Sequence, residues 1–110
     1  VHFGELANLK TLGLGGTQVT DSEMVHLDRL TKLEVLYVSK TGISDIGLAH
    51  VAGLKELKRL FISETKVSNA GLAHLSGLIK LEELNLDNTQ VTLPAVSELK
   101  LTLPYVRITR

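Results

Sequence analysis

The feature of this chain that most constrains its fold is a period of 24 residues that can be followed through the whole sequence. Apolar residues, mostly leucine, recur at the same positions of each period. Three of these columns are Leu9, Leu33, Leu57 and Leu81; Leu12, Leu36, Leu60 and Leu84; and Leu14, Val38, Ile62 and Leu86. A unit of this size cannot bury its apolar edge alone. The period therefore predicts a solenoid in which each unit, or coil, stacks on its neighbours.

Each period predicts a short strand followed by a short helix. Leu36 and Val38 alternate with Tyr37 and Ser39, which is the pattern of a strand with one buried face. Residues typical of helix N-caps come next, in the pairs Thr20-Asp21, Ser44-Asp45 and Ser68-Asn69. The spacing of Thr20 and Glu23 predicts a capping box. Apolar residues at helical spacing follow, and Gly53 and Gly77 stand where such a helix would end.

The second full period, Leu33-x-x-Leu36-x-Val38-x-x-Thr41-x-Ile43, resembles the signature of the leucine-rich repeat family, with threonine where the family usually has asparagine or cysteine. The resemblance covers essentially the whole chain. It implies an α/β solenoid with a curved parallel β-sheet on the concave side and short helices on the convex side. It also implies recognition of a protein or peptide. Arrays of this family serve as receptors, inhibitors, ubiquitin-ligase substrate adaptors and bacterial effectors, and nothing in these residues selects among them.

We expect a single leucine-rich-repeat domain over residues 1–110. Its predicted parts are a partial repeat at 1–8, repeats at 9–32, 33–56, 57–80 and 81–104, and a final strand at 105–110. The last repeat departs from the pattern, as terminal coils do. Leu93-Pro94 replaces the acidic cap, with Pro94 tolerated only in a first helical turn, and Thr102 replaces an expected leucine. Tyr105 and Ile108 resume the strand pattern. The chain is expected to be a piece of a longer array, with flanking repeats as neighbours.

Composition argues against several other classes of protein. The 12 basic and 12 acidic residues cancel, so the chain lacks the positive charge that nucleic-acid binding rewards. No apolar run approaches the ~18 residues that a membrane span needs. There is no cysteine, which excludes disulfides and thiolate metal sites and favours an intracellular origin. We therefore expect no nucleic-acid partner, no membrane and no cofactor.

The strand positions that alternate away from the core form columns across the concave face. The central column is Gly13, Tyr37, Phe61, Asn85 and Thr109; one side column is Thr11, Val35, Arg59, Glu83 and Arg107; the other is Gly15, Ser39, Ser63 and Asp87. Parallel strands lie about 4.8 Å apart, so Tyr37 and Phe61 are expected to be side-by-side neighbours. Glu83 and Asp87 are expected to form an acidic patch one coil further on.

Two exposed aromatic rings within a rim of mixed charge resemble the anchor and rim of a protein interface. The sequence therefore predicts a protein-binding site that comprises Tyr37, Phe61, Val35, Arg59, Ser39, Ser63, Lys40, Glu64, Glu83, Asn85 and Asp87. The alternative is that the two rings only add cross-strand packing to the sheet. Binding is favoured over packing because solenoids commonly bind through their concave surface.

Other recurring side chains are expected to have structural roles. The histidines share one repeat position, at His2, His26, His50 and His74. At about 100° per residue, His50 lies about 200° from inward-facing Leu48, so it should face solvent, and no metal site is predicted. A threonine column should bond backbone groups where each strand turns inward; it is Thr17, Thr41, Thr65 and Thr89. The segment Gly13-Leu14-Gly15-Gly16 lacks the other residues of a nucleotide-binding loop.

Binding of a protein or peptide on the concave sheet is the favoured function. No arrangement of nucleophile, base and orienting group can be placed on this geometry, so no catalysis is expected. Two alternatives stay open. The chain could be a structural or assembly segment that stacks through its open ends, where an edge strand is unpaired. It could also be the substrate-selecting part of a larger enzyme or ligase.

Overall fold

One parallel sheet runs through all the coils of the solenoid. The computed structural model describes residues 8–110, so His2, Phe3, Leu6 and most of the partial repeat predicted at 1–8 lie outside the described residues. Within residues 8–110, five strands pair in the order of the sequence. They are β1 (Thr11–Gly13), β2 (Val35–Tyr37), β3 (Arg59–Phe61), β4 (Glu83–Asn85) and β5 (Arg107–Thr109).

The register of the sheet equals the period of the sequence. Leu36 pairs with Leu12 on one side and Leu60 on the other, and each of the four strand pairs has this 24-residue offset. Backbone hydrogen bonds continue the pairing beyond the strands; the Val38 N–H, for example, donates to the Phe61 carbonyl at 2.9 Å. The columns predicted from the sequence are therefore columns of the sheet.

The first three coils return through one α-helical turn that continues as a 3₁₀ helix. The α-helical turns are α1 (Asp21–Met24), α2 (Asp45–Leu48) and α3 (Asn69–Leu72), and the 3₁₀ segments are Val25–Arg29, Ala49–Gly53 and Ala73–Leu75. Thr20 holds the N-cap of α1, and Glu23 accepts a hydrogen bond of 3.1 Å from its backbone N–H, which forms the predicted capping box. Hydrogen bonds from Ser22 and from the Thr20 backbone lower the pKa of Glu23. Short convex helices behind a concave parallel sheet confirm the predicted α/β solenoid.

The core lies between the sheet and the helices and is almost entirely aliphatic. Its buried side chains repeat from coil to coil: Leu27, Leu30, Leu33, Leu36 and Val38, then Val51, Leu54, Leu57, Leu60 and Ile62, then Leu75, Leu78, Leu81, Leu84 and Leu86. Each side chain packs at the strand spacing against the equivalent side chain of the next coil. Stacking therefore buries what a single coil would leave exposed.

A threonine closes each turn after a strand. The four Oγ1 atoms donate to the carbonyl three residues earlier at 2.6–2.7 Å, in the pairs Thr17 to Leu14, Thr41 to Val38, Thr65 to Ile62 and Thr89 to Leu86. Thr41 and Thr65 are buried, and a buried hydroxyl without a partner would be destabilising. The structural role predicted for this column is confirmed.

Neighbouring coils are also joined by side-chain hydrogen bonds at the helix N-termini, which we call the capping ladder. Asp21 Oδ1 accepts from the Ser44 backbone N–H at 2.7 Å, and Asp21 Oδ2 accepts from the Ser44 hydroxyl. Asp45 makes the same two bonds to Ser68. Each aspartate thus binds the N-cap residue of the next helix, through bonds to a carboxylate that are stronger than neutral ones.

The capping ladder explains why glycine interrupts two of the short helices. A Cβ at Gly47 would overlap Asp21 Oδ1, and a Cβ at Gly71 would overlap Asp45 Oδ1. Glycine is unfavourable inside a helix by about 0.5–1 kcal/mol relative to alanine. Space for the carboxylate of the preceding coil therefore takes precedence over helix propensity at these two positions.

The last rung of the ladder uses different residues. Asn69 Oδ1 accepts from the Thr92 backbone N–H at 2.9 Å, and Asn69 Nδ2 donates to the Thr92 hydroxyl at 3.1 Å. The position equivalent to Gly47 and Gly71 is occupied here by Ala95. Aspartate is thus paired with glycine, and asparagine with alanine, in successive rungs.

The return of the last coil is a continuous α-helix, α4 (Leu93–Thr102), with Pro94 in its first turn as predicted. An α-helix rises about 1.5 Å per residue and a 3₁₀ helix about 2.0 Å, so α4 needs more residues to cross the same distance. The prediction that Tyr105 resumes the strand pattern is wrong for this reason. Tyr105 is 94% exposed, and Val106 occupies the buried position instead, while Ile108 pairs with Leu84 as expected.

Truncation of a central core residue should weaken the whole stack. Leu60 is fully buried in β3, and we expect Leu60→Ala to lower the free energy of unfolding by about 2–5 kcal/mol through lost burial and a residual cavity. Urea denaturation measures the change. Leu101→Ala is the control, because Leu101 is exposed and its truncation should change stability by less than about 0.5 kcal/mol. A loss below about 1 kcal/mol for Leu60→Ala would contradict the packing described.

The capping ladder predicts that alanine is less stable than glycine at a helix position beside a carboxylate of the preceding coil. Gly71→Ala should destabilise the chain by about 1–3 kcal/mol, because the added methyl group displaces the Asp45 carboxylate. Gly53→Ala is the matched control: Gly53 also lies in a helical return, but a Cβ there meets nothing within 4 Å. Chemical denaturation of the two variants tests the difference. Equal stabilities would show that the carboxylate is not held over Gly71.

Candidate functional site

The residues predicted as a binding site lie on the concave face of three adjacent coils, and we call this surface the concave site. Val35, Arg59 and Glu83 form one row across β2, β3 and β4, and Tyr37, Phe61 and Asn85 form the next. The remaining five lie in the turns that follow these strands: Ser39, Lys40, Ser63, Glu64 and Asp87. The predicted adjacency of these positions is therefore present in the sheet.

Tyr37 and Phe61 form a parallel stack at the centre of the concave site. Their ring centroids are 4.7 Å apart and their planes differ by 7°. This distance is close to the spacing of about 4.8 Å between parallel strands, so the stack follows directly from the register of β2 and β3. Tyr37 is 41% exposed and Phe61 is half-buried. The two stacked rings thus give the concave side an aromatic surface, and Tyr37 is its more exposed member.

Charged side chains on one side of the stack are paired with one another. Glu83 Oε1 lies 3.9 Å from Arg59 Nε and 3.7 Å from Arg107 Nη2. Glu83 is therefore flanked by two arginines, and the acidic patch predicted for Glu83 with Asp87 is wrong at Glu83. Arg107 belongs to the same predicted column of side chains but was not among the predicted site residues. Since both arginines are exposed, their pairing with the half-buried Glu83 contributes little to stability.

The other side of the stack carries strained backbone. The second residue of each turn after a strand has a positive φ, at Gly16 (73°), Lys40 (58°), Glu64 (54°) and Asn88 (57°). Glycine and asparagine adopt this conformation readily, but other residues do so at a cost of roughly 1–2 kcal/mol. Lys40 Nζ lies 3.9 Å from Glu64 Oε2, and an exposed pair of this kind does not offset the strain.

Two polar side chains of the concave site accept hydrogen bonds from the backbone of the turns. The Ser63 backbone N–H donates to Ser39 Oγ at 3.1 Å, and the Asp87 backbone N–H donates to Asn85 Oδ1 at 3.0 Å. Ser39 and Asn85 are therefore structural residues of this surface as well as candidates for contact. Val35 is half-buried beside Arg59.

The histidine column lies on the helical side of the solenoid, away from the concave site. His26, His50 and His74 are in the 3₁₀ segments, and His50 Nδ1 lies 3.2 Å from Asp28 Oδ1. Within residues 8–110, no group of three or more histidine, aspartate or glutamate side chains is placed to hold a metal ion.

The sequence patterns do not indicate a groove that lies between α3 and α4. Its volume is about 420 Å³, and its lining includes Leu72, Ala73, Pro94, Ala95 and Glu98. The signals that could have indicated it are the break at Leu93-Pro94 and the small residues at its walls. Glu98 is the one charged residue in this lining.

Comparison with known proteins decides the family. The family model described as leucine rich repeat matches residues 31–91, which is more than half of the chain. The chain belongs to the leucine-rich repeat family. Leucine-rich repeats are generally protein–protein interaction modules, and members of this family are typically not enzymes. No curated protein matches the chain significantly in sequence.

Solved leucine-rich-repeat structures resemble the whole chain. Internalin C2 from Listeria monocytogenes is 28% identical, with a TM-score of 0.78 over 99% of this chain and 46% of its own. Leiomodin-1 actin-binding site 2 is 13% identical, with a TM-score of 0.75 over 97% of this chain and 75% of its own. A leucine-rich-repeat protein of Leptospira interrogans is 18% identical, with a TM-score of 0.57 over 97% and 38%. The chain thus spans less than half of the internalin.

None of the helices within residues 8–110 is both long and apolar enough to cross a membrane.

The strained turn of the second full repeat can be tested directly. We expect Lys40→Gly to stabilise this leucine-rich-repeat chain by about 1 kcal/mol, because glycine adopts a positive φ without steric cost. Lys66→Gly is the matched control, since Lys66 does not have a positive φ, and there glycine should be neutral or destabilising. The midpoint of urea unfolding compares the two. A destabilised Lys40→Gly variant would mean that the side chain matters more to the fold than the strain.

Proposed function

We propose that this leucine-rich-repeat chain binds a protein or peptide on its concave sheet, with Tyr37 and Phe61 as the anchor of the interface. The observation that carries the proposal is the exposed aromatic stack at the centre of the concave site. Aromatic residues at the middle of a mixed polar surface are typical of the residues that dominate binding energy.

The rigidity of the stack supports an anchor role. Each ring has two side-chain torsions and is held by a strand and by the other ring, so little conformational entropy is lost when a partner covers it. Simple cross-strand packing, the alternative, would be served equally well by rings covered from solvent. Tyr37 instead leaves two-fifths of its surface exposed.

The charges around the stack support recognition of a polar partner surface. Glu83 lies between Arg59 and Arg107 on one side, and Lys40 lies beside Glu64 on the other. Strained backbone that persists without a folding benefit is typical of functional positions. Lys40 and Glu64 fit that description, because an unstrained residue such as Asn88 occupies the same position in the next coil.

The proposal predicts a partner that depends on the two rings. In an affinity capture from lysate of the source organism, analysed by mass spectrometry, the chain should retain a protein that the Tyr37→Ser/Phe61→Ser variant does not. We expect the purified partner to bind this variant on the order of 30-fold more weakly, which is the effect of losing one strong anchor residue. Circular dichroism confirms that the variant is folded.

The matched control for this experiment is Ile46→Ser/Ile79→Ser. These two side chains are also apolar and are 73% and 80% exposed, but they lie outside the concave site. Loss of the partner in the concave variant and its retention in the control supports the proposal. Loss in the control alone, or in neither variant, would place the contact elsewhere.

A second candidate function, assembly through the last coil, is supported by exposed apolar residues at that end. Ile79, Leu101 and Tyr105 are 80%, 82% and 94% exposed, and Ile79 and Tyr105 line one shallow depression. In this alternative the chain stacks on a second copy or on flanking repeats. Light scattering that shows a concentration-dependent mass, abolished by Tyr105→Ser and not by Phe61→Ser, would favour it. Substrate selection for a larger enzyme or ligase is compatible with either surface.

A further inference from the structure

The aromatic stack of the concave site has an unfilled third place. Gly13, Tyr37 and Phe61 occupy the same position of β1, β2 and β3 and pair directly across the sheet. Phe61 covers one face of the Tyr37 ring, with nearly parallel planes. The opposite face of Tyr37 therefore points along the sheet towards β1, where Gly13 has no side chain to cover it.

Among residues 8–110, no atom fills the space directly above Gly13. A Cβ built on Gly13 meets nothing within 4 Å, and the same holds for Gly16 in the turn that follows. Gly15 is the next residue on the concave side of this coil, so three glycines leave bare backbone beside the ring. The Tyr37 ring, the floor of β1 and this turn together bound a slot. Because strands lie about 4.8 Å apart, a group placed above Gly13 would lie about one strand spacing from the Tyr37 ring. This distance suits a planar group stacked on the ring.

We infer that this slot receives a neutral aromatic side chain of the protein partner, stacked on the open face of Tyr37 as a third ring beside Phe61. The inference rests on the proposed function and names the chemistry of its partner. Parallel and offset aromatic pairs are favourable beyond the apolar area that they bury. The inserted ring would also cover the backbone of β1 at Gly13, where there is no side chain.

The charges near the slot favour an aromatic ring over a guanidinium group. Between residues 8 and 20 the only charged side chain is that of Lys10, and it is basic. In the next coils, Glu34 lies 3.9 Å from Lys58 and Glu64 lies 3.9 Å from Lys40. An arginine stacked on Tyr37 would therefore find no carboxylate in the strand and turn of residues 8–20, whereas an uncharged ring needs none.

The test is a titration of the whole chain with N-acetyl-tryptophanamide, followed by the backbone amide shifts in NMR. We expect saturable shifts at Gly13, Gly15 and Tyr37, and at least tenfold weaker binding to Gly13→Leu, whose side chain fills the slot. Thr109→Leu is the matched control, because Thr109 is the same position of β5 and is also exposed. It should bind as the unmodified chain does. Tyr37→Leu, which removes the ring and keeps an apolar side chain on the strand, should also lose binding.

Titrations with N-acetyl-leucinamide and with ethylguanidinium complete the design, and neither should shift Gly13. The inference is overturned if tryptophanamide causes no shift at Gly13, if Gly13→Leu binds it unchanged, or if ethylguanidinium binds instead. The protein captured by the concave site separates this failure from failure of the proposed function. If that protein is lost by Tyr37→Ser/Phe61→Ser but binds Gly13→Leu with full affinity, concave recognition stands and the slot plays no part in it.

Discussion

The pairing of parallel strands at an offset of 24 residues is the constraint on which the rest of this molecule depends. Backbone hydrogen bonds of 2.7–3.1 Å link the end of each strand to the next, from Leu14 to Tyr37, from Val38 to Phe61 and from Ile62 to Asn85. Because the offset is the same for all four strand pairs, each strand side chain meets its equivalent in the next coil. Columns of leucine become the core, and columns on the other face become a continuous surface.

The same register determines contacts in the core, at the helix N-termini and on the concave face. In the core it stacks leucine on leucine, which buries the apolar edges of single coils. At the helix N-termini it sets each aspartate against the next N-cap and leaves room there only for glycine. On the concave face it sets Tyr37 against Phe61 at the strand spacing. The candidate site is thus a product of the same geometry that stabilises the fold.

Much of the fold could be predicted from the sequence, because equivalent positions of the four repeats have the same environment and therefore similar residues. The strands, the core columns, the threonine turns and the adjacency of Tyr37 and Phe61 all follow from the period. The position of Tyr105 could not be predicted, since the rise per residue of the last return depends on whether its helix is α or 3₁₀. The change from Gly47 and Gly71 to Ala95, with Pro94 beside it, does not by itself reveal that difference.

Contacts between side chains of different coils, and local backbone strain, could not be predicted from the sequence either. Asp21 and Asp45 match ordinary helix-start residues, and only coordinates show that they bind the following coil. The sequence predicts an acidic patch at Glu83, but the flanking strands place Arg59 and Arg107 beside it. The strain at Lys40 and Glu64 is a backbone property with no signal in either residue type. The leucine and threonine columns were predictable because burial and turn geometry restrict which residue types can occupy those positions.

The central claim, recognition through the concave aromatic stack, is tested most directly by hydroxyl-radical footprinting of the chain with and without its captured partner. Aromatic side chains report their own solvent exposure in this measurement, and the chain carries an internal reference in Tyr105, which is exposed at the last coil. The account predicts that Tyr37 and Phe61 lose labelling in the complex while Tyr105 keeps it. Protection of Tyr105 with unchanged labelling of Tyr37 and Phe61 would contradict concave recognition and indicate that the partner binds the end of the solenoid.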